Sequence, residues 1–156
     1  MIPAKFDYVK PASVEDAVRA LTDGGEDAKI IAGGQSLLPV LRLRMAAPTV
    51  VIDLGGIPEL RRIAEDGDRI AIGAMAPHHD VMRDRLVREH VSLLADATQT
   101  VADPQVRHRG TLGGALAHAD PAGDLAAVAL ALDAEFVIAG DVFRVAGVDR
   151  YDTAAQ

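Results

Sequence analysis

Apolar and polar positions divide this chain into short segments that alternate between helical and strand character. Ser13-Val14-Glu15-Asp16 has the form of a helix start, with Ser13 at the N-cap and Asp16 three residues on. Ala17, Val18, Ala20 and Leu21 follow at helical spacing, and Gly24-Gly25 ends the segment. Ala28 to Ala32 has the pattern of a buried strand and runs directly into Gly33-Gly34, after which Ser36-Leu37-Leu38 opens a second helix reaching about Met45. Pro48 stops that helix, and Thr49 to Asp53 reads as a β-branched strand closed by Gly55-Gly56. A strand, a crossover helix and a second strand pair in parallel as a rule, so the pattern predicts a small βαβ lobe over residues 1–55.

From Leu60 the pattern changes. Leu60 to Ala64 and Arg69 to Gly73 read as an antiparallel hairpin joined through Glu65-Asp66-Gly67-Asp68. Helices are expected at about Pro77 to Arg83 and at Ser92 to Ala102, with Pro104 ending the second by denying it a backbone donor and a loop reaching Arg109-Gly110. After Thr111-Leu112-Gly113-Gly114, Asp124 to Leu132 reads as an Ala- and Leu-rich helix and Ala134 to Ala139 as a strand. Phe143 to Gln156 holds one more candidate strand and no closing element, so residues 56–156 are expected to form a second, incomplete lobe.

Composition narrows the class. At 156 residues with 49% hydrophobic content the chain has the length of one ordinary domain or two very small ones and enough apolar material for a core. Aromatics make up 3% and Trp is absent, so that core is aliphatic. With no cysteine, the chain alone cannot form a disulfide, a zinc knuckle or an iron–sulfur ligand set, and redox chemistry would need a borrowed cofactor. The segment after Met1 is neither basic nor apolar enough for export or membrane insertion, which makes the cytoplasm the expected location. A net charge of −7 argues against a nucleic-acid surface. The basic runs at Arg61-Arg62 and from Arg83 to Arg88 read as a solvated face with Asp84 and Glu89 as acidic partners.

Candidate chemistry concentrates in two glycine segments. Ala32-Gly33-Gly34-Gln35-Ser36-Leu37 places two glycines and a hydroxyl between a strand and a helix start. Glycine lets backbone approach an anion closely, and free N–H groups favour negative charge. Ser36 and Gln35 add side-chain hydrogen bonds, while an ordinary tight turn capped by Ser36 explains the same letters. Neither a Gly-Lys phosphate loop nor a Gly-x-Gly-x-x-Gly fingerprint occurs. The second segment runs from Arg109 through Thr111-Leu112-Gly113-Gly114-Ala115 to Asp124, where Thr111 can donate to a phosphate oxygen and Asp120 and Asp124 can accept from sugar hydroxyls or an adenine amine, or simply cap the next helix. His78-His79-Asp80 and His118-x-Asp120 lack the further ligands of a metal site, and no metal is expected.

Two glycine turns about eighty residues apart suit a pyrophosphate gripped from two sides. Ala32-Gly33-Gly34-Gln35-Ser36 together with Thr111-Leu112-Gly113-Gly114 closely resembles the paired flavin motifs of the FAD-binding (medium) subunits of molybdenum hydroxylases, the carbon monoxide dehydrogenase and xanthine dehydrogenase family. The likeness extends from about Phe6 through Val51-Ile52-Asp53-Leu54 and Ile70 to Ala74, as far as Ala134-Glu135-Phe136. Gln35 departs from the His that some members carry there.

The resemblance implies an α+β, two-lobed FAD-binding fold of the vanillyl alcohol oxidase and p-cresol methylhydroxylase type, with the family's C-terminal domain missing from this chain. It assigns the FAD pyrophosphate to Ala32, Gly33, Gly34, Gln35, Ser36 and Leu37, and closure over the cofactor to Thr111, Gly113, Gly114 and Ala115. Asp124 resembles the acidic contact to the nucleotide portion, and Val101 an apolar neighbour of the adenine. Electrons would come from a molybdenum-cofactor large subunit through 2Fe-2S clusters of a small subunit to FAD, then to NAD, oxygen or a quinone. No side chain here would act as catalytic acid, base or nucleophile. Two other readings remain open: a truncated remnant or interaction module without FAD, and a domain that uses the glycine turns for another phosphorylated ligand.

Overall fold

The computed structural model describes residues 2–138 and 141–144. Three short strands, β1 (Asp7–Val9), β2 (Ala28–Ile31) and β3 (Val50–Asp53), form a parallel sheet in the order β1-β3-β2. Ala28 pairs with Val50 and Ile31 with Asp53, so the expected βαβ pairing is present. Strand β1, which is too short to show a period, adds on the far side of β3 with Asp7 opposite Val50. The central position of β3 explains why Val51 and Ile52 are buried. β2 instead lies at an edge and leaves Ile30 43% exposed, so its continuous apolar run is not that of a fully buried strand.

The crossover carries α1 (Val14–Gly24), and its ends follow the letters. Ser13 Oγ accepts from Asp16 N at 3.1 Å, and Gly25, at φ +62°, returns its N–H to Leu21 and Thr22. Ala17 on this helix packs with Ala28, Ile52 and Ile57 into a first apolar cluster. Helix α2 (Leu37–Arg42) connects β2 to β3, shorter than expected because Arg44 turns to φ +56°.

Strands β4 (Ile63–Asp66) and β5 (Arg69–Ile72) form the predicted antiparallel hairpin around Gly67, at φ +63°. β5 begins at Arg69 as expected, whereas β4 begins later than Leu60 because Pro58–Arg61 is a 3₁₀ turn. Helices α3 (His78–Arg83), α4 (Arg85–His90), α5 (Ser92–Gln99), α6 (Pro104–Arg107), α7 (Leu112–His118) and α8 (Leu125–Ala131) follow, then the antiparallel pair β6 (Glu135–Ile138) and β7 (Asp141–Arg144). Residues 139–140 and 145–156, including the end of the strand expected to reach Ala139 and most of the segment from Phe143, lie outside the described residues.

Three expectations are corrected here. Pro104 does not end a helix: α5 stops at Gln99, and Pro104 starts α6 at the position where its missing N–H costs nothing, with Asp103 accepting from Val106 N at 2.9 Å. Asp84 is no ion-pair partner of the basic run but the cap of α4, accepting from Leu86 N and Val87 N, whereas Glu89 does pair with Arg85 at 2.8 Å. The second glycine segment is a helix, α7, not an open turn. Val81, Val87, Leu94, Ala95, Leu125 and Val128 from these helices join Ala76 in a second apolar cluster. Complete burial of aliphatic side chains such as Val81 and Val87 stabilises by about 1.5–3 kcal/mol each. Among the described residues no helix is long and apolar enough to cross a membrane.

Candidate cofactor site

The first glycine segment is an open turn with unspent donors. Gly34 is buried and adopts φ +77°, which the missing side chain permits, and Leu38 N closes the turn on Gly34 O at 3.0 Å. Ser36 stands at the N-cap position of α2 in helical conformation, and its side chain makes no capping bond. The capped-turn explanation of these letters therefore does not describe the geometry. The N–H groups of Gly34, Gln35 and Ser36 donate to no protein acceptor among the described residues. Gln35 and Ser36 are exposed, and Gln35 Nε2 bonds back to Gly33 O at 3.3 Å.

The second segment behaves differently. Thr111 caps α7 by accepting from Gly114 N at 3.1 Å, Leu112 N donates to Ala76 O at 3.0 Å, Gly113 N to Ala74 O at 2.9 Å and Ala115 N to Thr111 O at 3.0 Å. Every amide in the first turn of α7 is thus satisfied by the protein. Gly113 is required by that packing: a Cβ there would lie 2.5 Å from Ala74 Cβ and 2.7 Å from its Cα. Close approach of backbone, which the letters suggested for a ligand, is made here to the strand-end segment 74–76.

The two segments touch. A Cβ on Gly33 would lie 2.2 Å from Arg109 O, and one on Gly114 would lie 3.3 Å from Ala32 Cβ. Beside this contact opens a cavity of about 240 Å³, lined by Ala32, Gly33 and Thr111 from the two motifs and by Lys10, Asp53, Arg61, His108 and Arg109 around them. Apart from Arg109, which opens the second segment, sequence reasoning missed this last group as lining. Arg61 was legible as part of an arginine doublet but was assigned to a solvated face; Lys10 enters through β1, which brings the chain start beside β3.

Asp53 is held in place, its Oδ1 accepting from Gly55 N at 2.7 Å and its Oδ2 from the Tyr8 hydroxyl. That bond, with burial and the Asp53 charge behind it, raises the Tyr8 pKa above the ordinary phenol value.

The remaining candidates are spread more widely. Leu37 is half-buried, while Val101 and Ala115 pack against the second apolar cluster rather than line the cavity. Asp124 is exposed at the N-cap position of α8 without a capping bond, and Asp120 accepts from Ala122 N at 2.9 Å within a turn, so neither caps that helix through its side chain.

His78 is buried, its Nδ1 without a partner, and burial followed by the Arg107 charge lowers its pKa. His79 stacks on His108 with ring centroids 3.8 Å apart. Among the described residues no group of three or more acidic or imidazole side chains is placed to hold a metal ion.

Comparison with known proteins gives this geometry a context. Residues 4–144 match the family described as the FAD binding domain in molybdopterin dehydrogenase. The carbon monoxide dehydrogenase medium chain of Hydrogenophaga pseudoflava is 48% identical over 140 residues, which is 90% of this chain and 49% of that one. The nicotine 6-hydroxylase medium subunit of Paenarthrobacter nicotinovorans is 51% identical over 126 residues, 81% of this chain and 44% of its own length. In a solved structure of the Hydrogenophaga pseudoflava carbon monoxide dehydrogenase that lacks the Mo-pyranopterin moiety of the molybdenum cofactor, the fold recurs with a TM-score of 0.87 at 46% identity, covering 93% of this chain and 51% of that one. The chain therefore spans about half the length of the curated relatives it matches.

Proposed function

We propose, for a chain that belongs to the family of FAD-binding domains of molybdopterin dehydrogenases, that it carries the flavin of a molybdenum hydroxylase medium subunit and passes electrons from a partner's iron–sulfur clusters to an external acceptor. The fold is α+β and the cofactor is FAD. One observation carries the reading: two glycine segments eighty residues apart meet beside one cavity, lined by Ala32 and Gly33 of the first and Thr111 of the second, and the adjoining Gly34, Gln35 and Ser36 present three unspent N–H donors. FAD, when bound, supplies chemistry that links one-electron donors to a two-electron acceptor.

The chain's own residues bind and orient. Gly34, Gln35 and Ser36 offer backbone donors to phosphate oxygens, and the Thr111 hydroxyl, whose oxygen already accepts from Gly114, retains its proton to donate. A cavity of about 240 Å³ is smaller than the roughly 300–1,000 Å³ of sites that enclose a drug-sized ligand, so it fits a part of FAD such as its pyrophosphate.

In this proposal residues 1–55 and 56–156 form two lobes; two separate apolar clusters support a two-lobed chain, with Ile57 and Leu60 packing on the first of them. The partners are a molybdenum-cofactor large subunit and an iron–sulfur small subunit, the acceptor is NAD, oxygen or a quinone, and the complex is cytoplasmic. The hydroxylated substrate binds elsewhere in the complex, a view supported by relatives named for carbon monoxide and for nicotine. The remnant reading gains nothing from a turn and a cavity that are both formed.

A visible absorption titration with FAD tests the proposal. Saturable uptake is expected for the wild-type chain, weakened by Gln35→Glu, which sets a carboxylate beside the free donors at an exposed position. A folded chain with no saturable flavin uptake refutes the claim that these residues carry the cofactor.

A further inference from the structure

We propose that Lys10, Arg61 and Arg109 make the cavity a pyrophosphate-binding site, supplying through side chains the positive charge that the second glycine motif does not supply through its backbone. The inference rests on the FAD reading above and adds Lys10 and Arg61, which lie outside both glycine segments, to Arg109, which opens the second.

Three observations lead to it. First, the amides of Leu112, Gly113, Gly114 and Ala115 all donate within the protein, so the second motif cannot contribute a cradle of N–H groups to a phosphate. A diphosphate diester carries two negative charges, and the unspent amides of the first turn contribute partial charges only. Second, Lys10, Arg61 and Arg109 all line the cavity, and their side chains make no hydrogen bond or ion pair with a protein group among the described residues. Third, they face a single carboxylate, Asp53, already engaged by Tyr8 and Gly55. In a chain of net charge −7, three unpaired cations around one small cavity form a local excess opposite in sign to the whole.

The scaffold fixes these groups. The stem of Lys10 runs over Gly56, where a Cβ would lie 3.1 Å from its Cγ and 3.4 Å from its Cε. Arg61 ends the Pro58–Arg61 turn, and Leu60 O of that turn accepts from Met75 N at 2.7 Å. Arg109 lines the cavity at the contact between the two segments, where its carbonyl lies against Gly33. Arg61 suits bidentate contact with phosphate, and Lys10 a point charge on a long stem.

Isothermal titration with FAD, and separately with inorganic pyrophosphate, tests the proposal on the wild-type chain, Arg61→Gln, Lys10→Gln and Arg88→Gln. Arg61 and Lys10 are exposed and without protein bonds, so their variants are expected to keep the wild-type circular dichroism and melting point. Each should raise the dissociation constant for FAD and for pyrophosphate about tenfold, and make both less sensitive to salt. Arg88→Gln, on α4 away from the cavity, changes the net charge equally and should do neither.

If Arg61→Gln and Lys10→Gln bind FAD as the wild type does, with the same salt dependence, the proposal is overturned and the FAD reading stands. If the wild type binds pyrophosphate in an Arg61-dependent way but takes up no FAD, the anion site stands and the FAD reading falls. A wild type that binds neither overturns both.

Discussion

Replacing Gly33 with alanine tests the contact on which the site depends. Gly33 is not a positive-φ glycine, so the substitution brings no conformational penalty of its own. The new Cβ would instead lie 2.2 Å from Arg109 O, 2.7 Å from Gly110 Cα and 2.8 Å from Arg109 C, all of them backbone atoms. That backbone is pinned: Arg109 N and Gly110 N both donate to Val106 O, and His78 N donates to Gly110 O at 2.9 Å. Relief therefore requires the two motifs to separate by about 1 Å, and overpacking of this kind costs roughly 1–3 kcal/mol. For a chain of 156 residues each kcal/mol lowers the melting midpoint by roughly 2–4 °C, so a cost near the middle of that range gives a fall of roughly 4–8 °C. Because Gly33 and Thr111 line the same cavity from opposite sides of the contact, FAD affinity should fall about tenfold as well, the equivalent of one lost charge-assisted hydrogen bond.

Gly67→Ala is the matched control. Its φ of +63° makes alanine cost about 1 kcal/mol, yet nothing lies within 4 Å of the new Cβ, so stability falls while FAD affinity does not change. Thermal melts and FAD titrations of both variants decide the matter. A Gly33→Ala chain that melts and binds FAD like the wild type would show that the two segments are not in contact.

Other consequences are as specific. His78 has a lowered folded-state pKa, so its contribution to stability is fully present above the unfolded value of 6.5 and is lost as pH falls from there toward the folded value. His78→Leu should flatten the fall of the melting midpoint in that window and leave it unaltered above; parallel curves for the two proteins would refute the assignment. Thr111→Val removes the acceptor for Gly114 N and should cost about 1 kcal/mol in urea denaturation together with weaker FAD uptake, whereas Thr111→Ser should restore both. Asp84→Ala uncaps α4, which loses bonds to Leu86 N at 2.8 Å and Val87 N at 3.2 Å, and should cost about 1 kcal/mol with no change in FAD titration.

What could be read from the letters divides along physical lines. Ser13 and Gly25 are legible because caps act within one turn and depend on neighbours in sequence. The β4–β5 hairpin is legible because a glycine at positive φ sits between two alternating runs. The end of α3 at Arg83 is legible, but the start of α4 is not, since the basic run from Arg83 to Arg88 reads as a solvated face and only the bonds of Asp84 to Leu86 N and Val87 N mark a new helix start. Pro104 shows the same ambiguity: proline ends helices and begins them, and here Asp103 makes it a beginning.

The motifs themselves were found, but the division of work between them was not. Whether a backbone N–H is spent depends on what lies opposite, and for Gly113 that is Ala74, thirty-nine positions earlier in the chain. The cavity cations escape for a related reason, because Lys10 and Arg61 reach it from separate elements, the one following β1 and the other closing a 3₁₀ turn.

The tight seating of Gly113 on Ala74 and of Gly33 on Arg109 bears on how such chains diverge. These glycines answer to neighbouring main chain, so selection for a folded polypeptide alone preserves them. A duplicate that had abandoned its flavin would keep both glycine signatures intact while its exposed positions drifted, at Gln35, Lys10 and Arg61 first. Retention of cargo is therefore diagnosed at the surface positions that folding leaves free, and the glycines testify to architecture.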